Sequence, residues 1–91
     1  PRNPELVLEA AHAEIGLGHP KQSFDLLLVA LPLSKDPELI TIDQANVYMF
    51  VGDFYKAGII YKDKWTKNPS SIDAALSYAW SLVSSQRYEE A

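Results

Sequence analysis

Gly18, Gly52 and Gln86 lie 34 residues apart, and the residues around each match one another at that fixed offset. Ala11, Ala45 and Ala79 share one phase of the period, Ser23, Ala57 and Ala91 a second, and His12, Asn46 and Trp80 a third. A unit of this length cannot bury its own apolar face, so it must bury it on the next copy, and the chain is constrained to a stack of like units. Stacks of this kind offer extended surfaces that hold other proteins.

Within each period the apolar residues recur at helical spacing: Leu6, Ala10, Ala13 and Leu17; Phe24, Leu27, Leu28 and Leu31; Ile42, Ala45, Met49 and Phe50. Each run is about a dozen residues long and ends at Gly or Pro, which predicts helical hairpins joined by short turns. Asp36-Pro37-Glu38 suits a helix start, because proline gives up an amide that has no partner there and the acids meet the positive helix end. Ser70-Ser71-Ile72-Asp73 can cap a fifth helix through a serine hydroxyl. Leu39-Ile40-Thr41-Ile42 is the nearest thing to a strand and reads as a helix start in its context. Two antiparallel helices approach to about 8–10 Å only where small side chains occupy the crossing. Ala45 against Ala57 is therefore the expected contact within one hairpin, repeated by Ala79 against Ala91, with Tyr48, Phe54, Tyr61 and Leu82 filling the wedge to the next.

The segments Gly18-His19-Pro20-Lys21, Gly52-Asp53-Phe54-Tyr55-Lys56-Ala57 and Gln86-Arg87-Tyr88-Glu89-Glu90-Ala91 each read as a hairpin turn followed by the start of a second helix. With Ala45 and Tyr48 before the turn, Ala57 and Tyr61 after it, and Asn68-Pro69 closing the unit, the sequence resembles the tetratricopeptide repeat family. Departures are Glu14 in place of an aromatic, Gln86 in place of the turn glycine, Lys64 in place of a small residue, and a first proline corner two residues late. The resemblance covers essentially the whole chain. It implies an all-α fold, a right-handed superhelical array of antiparallel helix hairpins, with repeats at about 4–37, 38–71 and 72–91, the third incomplete. Pro1-Arg2-Asn3-Pro4 resembles the closing corner of a preceding hairpin, and Ala91 falls one turn into an expected sixth helix, so a section of a longer array is expected.

The same resemblance puts function on a concave groove lined by the first helix of each hairpin. Its columns fall on Glu5, Leu8, Glu9, His12 and Ile15, on Leu39, Ile42, Asp43, Asn46, Met49 and Phe50, and on Asp73, Leu76, Ser77, Trp80 and Val83. Asn46 can clamp a peptide backbone with donor and acceptor together, Trp80 can receive an apolar side chain or a cation, and Met49 with Phe50 offers an adaptable apolar spot. Met49 and Phe50 are adjacent on a helix, so one of them is expected to turn towards a neighbouring helix. The acids Glu9, Asp43 and Asp73, with Glu5, favour a partner peptide carrying apolar anchors and some Lys or Arg. One subgroup of the family grips a C-terminal carboxylate through bases in this groove; those columns here hold Leu8, Asp73 and Ser77, with Asp43 in place of an asparagine, so that role is rejected. The competing reading is a structural or self-association module, pairing as a homo-oligomer through an exposed end hairpin.

Other classes find less support. Net charge is −4, and the lysines are scattered as Lys56, Lys62, Lys64 and Lys67, which argues against phosphate contacts and hence against nucleic acid. No apolar run reaches the roughly 20 residues of a membrane span. There is no cysteine, and His12 and His19 lack a third ligand nearby, so neither metal nor other cofactor is expected. Glu9 and His12 lie one turn apart, yet no nucleophile elbow or glycine-rich phosphate loop accompanies them, so no enzyme is expected. The compartment stays open, with the cytoplasm as the default.

Overall fold

The structure, a computed structural model, describes residues 3–90, with side chains as far as Arg87. The Ala91 column and the expected corner at Pro1 and Arg2 lie outside the described residues. Five helices account for nearly all of the rest: α1 (Pro4–Gly16), α2 (Pro20–Ala30), α3 (Pro37–Val51), α4 (Phe54–Lys67) and α5 (Ile72–Glu90), with a short 3₁₀ turn at Leu31–Leu33. The described chain is all-α.

The helix ends follow from local chemistry. Pro4, Pro20 and Pro37 stand in the first turns of α1, α2 and α3. Asn3 accepts a hydrogen bond from the Glu5 amide at 2.9 Å, Asp36 from Leu39 at 3.3 Å, Asp53 from Lys56 at 3.3 Å, and Ser71 from Ala74 at 3.2 Å, each satisfying an amide that the helix leaves without a partner. Both hairpin turns use the same device. Gly18 and Gly52 take φ of 80° and 85°, the left-handed conformation that side chains resist. Beyond them the His19 amide donates to the Glu14 carbonyl at 2.8 Å and the Asp53 amide to Tyr48 at 2.9 Å.

Burial repeats with the same period as the sequence. Ala11 and Ala45 are both buried, as are Ser23 and Ala57, Leu27 and Tyr61, Ile40 and Ala74, and Val47 and Ser81, each pair 34 residues apart. In the first hairpin the Ser23 hydroxyl donates to the Ala11 carbonyl at 2.7 Å, a contact open only because residue 11 is too small to hold the helices apart. The surface repeats as well. A groove of about 280 Å³ between α2 and α3, edged by Pro20, Lys21, Phe24, Asp25, Val47, Tyr48 and Val51, returns between α4 and α5 at Phe54, Tyr55, Gly58, Ile59, Ser81, Leu82 and Ser85 with the same volume. All the substantial helix contacts are between consecutive elements, and the molecule is a slab of 46 × 31 × 15 Å. Its core is correspondingly split. One cluster gathers Ala11, Leu27, Ala30, Ile40 and Val47, the other Ala45, Met49, Ala57 and Tyr61. Trp65 packs across the hairpin boundary on Tyr78, ring centroids 5.9 Å apart.

Three expectations are corrected. The inward stripe of α1 is the buried Ala11 with the half-buried Val7, Leu8 and Ile15, whereas Leu6, Ala10, Ala13 and Leu17 face solvent. No turn forms at Gln86, since α5 runs unbroken from Ile72 to Glu90. Ala79 and Leu82 are consequently exposed, because no second helix folds back on α5 among the described residues.

Candidate partner-binding groove

The helices differ in charge according to their place in the hairpin. Along α1 there are three acids and no Lys or Arg, and along α3 two acids and no Lys or Arg, whereas α4 carries four lysines against one aspartate. First helices are thus acidic, and the basic charge collects on the second helix of the second hairpin.

Between α1, α2 and α3 lies a cavity of about 330 Å³. Ile15, Leu27 and Val47 give it an apolar floor beside the buried Ser23, and His12, Asp43, Asn46 and Phe50 form its rim. These last four are all expected groove residues, brought together from two helices. The His12 Nε2 lies 3.0 Å from Asp43 Oδ2. A carboxylate can only accept, so Nε2 carries the proton and donates. The Asp43 side chain is largely covered, at 17% exposure, while His12 is 56% exposed. This bond ties α1 to α3.

Asn46 makes the next link. Its Oδ1 accepts a hydrogen bond from the Tyr61 hydroxyl, which comes up from the buried side of α4. Burial pushes the Tyr61 phenol above its ordinary pKa, because the phenolate loses hydration there. With the oxygen engaged, Asn46 keeps its amide N–H groups as the donors it can offer a ligand. Phe50, one turn further on, is 57% exposed at the cavity edge.

Not every expected groove residue joins this site. Met49 is buried with Ala45, Ala57 and Tyr61, so it offers a ligand no surface; of the adjacent pair, Phe50 is the one that faces out. Glu9 is exposed on α1 but does not line the cavity. Asp73 and Trp80 are exposed and Ser77 half-buried on α5, all outside it. Two roomier hollows lie elsewhere: one of about 500 Å³ between the start of α1, residues 33–36 and the start of α3 brings together Glu5, Leu8 and Leu39 of the expected groove, and one of about 480 Å³ between α3 and α4 holds Ile42 of it. Sequence reasoning missed the structural duty of Asn46 and the His12–Asp43 pair. The second had a signal: the two are 31 residues apart, one period less three residues, the offset that sets neighbouring first helices face to face.

Among the described residues no three acidic or histidine side chains converge as metal ligands, and no helix is long and apolar enough to cross a membrane. The chain matches no protein-family model, no curated protein and no solved structure.

Proposed function

We propose that this chain is a helical-repeat scaffold of the tetratricopeptide kind that captures a peptide segment of a partner protein along the face of its first helices. In this reading the hairpins follow one another in a right-handed superhelical array, supported by burial and surface grooves that return every 34 residues. The observation that carries the function is the cavity edged by His12, Asp43, Asn46 and Phe50. It combines an apolar floor, a held carboxylate, amide donors and an exposed aromatic ring, and no nucleophile with an activating base. That set suits recognition of an extended segment. The acid-only charge of α1 and α3 favours segments with Lys or Arg beside apolar anchors.

Selection from a displayed library of random octapeptides tests this. Enrichment of sequences combining Lys or Arg with Leu, Ile, Val, Met or an aromatic is expected. An enriched peptide should bind Phe50→Ala and Asp43→Asn at least about fivefold more weakly, a loss of about 1 kcal/mol, with circular dichroism unchanged. No enrichment, or enriched peptides indifferent to both substitutions, refutes the groove.

A further inference from the structure

The cavity between α1, α2 and α3 carries a single charge over an apolar floor. Of the residues lining it, Asp43 alone is ionised when His12 is neutral, and its side chain is largely covered, at 17% exposure. Only one carboxylate oxygen is engaged: Oδ2 accepts from His12 Nε2, while Oδ1 has no partner within the described chain. No buried side-chain oxygen lacks a partner among the described residues, so Oδ1 still meets water. A ligand that closes over the cavity takes that water away. An apolar anchor seated on Ile15, Leu27 and Val47 therefore strands a charge, at a cost that burial of one side chain does not recover.

We propose, resting on the reading of this face as a peptide groove, that the cavity takes the side chain of one arginine of the bound segment, its stem on the apolar floor and its guanidinium on Asp43. At about 330 Å³ the cavity is at the low end of ligand pockets, about 300–1,000 Å³, which leaves room for one long side chain. Arginine and lysine both bring an apolar stem and a cation. Arginine fits better, because the cavity offers its charge one carboxylate and little else. The Asn46 oxygen is taken by Tyr61, and the Ser23 hydroxyl, 2% exposed as a residue, donates to the Ala11 carbonyl. An ammonium is compact and strongly hydrated, and here it gives up water on donors that find no partner. A guanidinium is weakly hydrated, aims parallel N–H groups at a carboxylate, and lies flat against aromatic rings such as Phe50 at the rim. One turn along α3 from Asp43, the free amide N–H groups of Asn46 suit the backbone carbonyl beside that arginine. Cation and peptide are thus read together, which separates an arginine within a chain from a free guanidinium compound.

Four bead-bound octapeptide libraries test this, each with arginine, lysine, citrulline or norleucine fixed at the fourth position and no Lys or Arg elsewhere. Citrulline keeps the shape of arginine without its charge, and norleucine is the apolar anchor. The tightest member of each library, labelled and titrated with the whole chain, gives its affinity by fluorescence anisotropy. The arginine peptide should bind about tenfold tighter than the citrulline and norleucine peptides and about threefold tighter than the lysine peptide. In Asp43→Asn, which keeps an acceptor for His12, the four should lie within about twofold of one another. Circular dichroism verifies that the variant is folded, and the comparison of arginine with citrulline in the native chain needs no variant. Equal affinities, a lysine or norleucine peptide bound tightest, discrimination that survives Asp43→Asn, or displacement by free arginine below about 1 mM each overturns the proposal. Peptides bound without discrimination, yet lost in Phe50→Ala, leave the groove standing and remove only the arginine site. Absence of any ligand from all four libraries removes both.

Discussion

Removing the Asn46 side chain should destabilise the fold even though that side chain sits on the surface. Asn46 supplies the acceptor for the Tyr61 hydroxyl, and Tyr61 is only 1% exposed as a residue. In Asn46→Ala the hydroxyl keeps its donor and loses its partner, which costs about 1–3 kcal/mol for a buried group. The acceptor lies at the exposed edge of α3, where water can take its place in part, so a loss of about 1–1.5 kcal/mol is expected. For a domain of this size that lowers Tm by about 4–10 °C. Tyr61→Phe removes the donor as well, and in that background Asn46→Ala should cost under about 0.5 kcal/mol. Urea unfolding of the four proteins, followed by far-ultraviolet circular dichroism, gives the coupling directly. Equal costs of Asn46→Ala in both backgrounds would refute the reasoning. A practical corollary is that Asn46→Ala is a poor probe of ligand capture, since it disturbs the scaffold and the groove together.

The alanine column makes a comparative prediction. Ala45→Leu, at a fully buried crossing, should cost about 1–3 kcal/mol by overpacking, whereas Ala79→Leu, exposed on the same column, should change stability by less than about 0.5 kcal/mol when measured at low micromolar concentration. Equal costs in urea unfolding would contradict the assigned burial. Alkaline pH supplies another check. The folded Tyr61 phenol has a raised pKa, so its contribution to stability is complete below the ordinary tyrosine value of about 10 and is lost as pH rises through the folded value. Absorbance at about 295 nm should show a late-titrating tyrosine, absent from Tyr61→Phe, and identical titration curves for the two proteins would count against it.

What was legible in the sequence was whatever depends on neighbours along the chain. The caps at Asp36 and Ser71, the glycine turns and the small residues at Ala11, Ala45 and Ala57 all follow from spacing and side-chain size. The error at Gln86 has a physical reason: Gly18 and Gly52 turn the chain by taking positive φ, a conformation glutamine reaches only at a cost, so the helix continues. The α1 stripe was misjudged because apolarity does not compel burial. Leu6 and Leu17 stay exposed on a helix that packs mainly on α2, and the Ala11 column was the better guide to its inner face. At the groove, Asp43 and His12 lay within reach of the period, whereas the Asn46–Tyr61 bond joins two helices through side-chain reach and left no periodic trace.

Because each helix leans chiefly on the one before it and the one after it, the molecule has no keystone. Assembly needs no distant ends to meet and can begin at either hairpin, so rapid folding is expected for its length. Disassembly runs the other way: the end helices α1 and α5, each held mainly by one neighbour, should open first, and proton exchange at their amides should outpace that of α3, which is clasped from both sides.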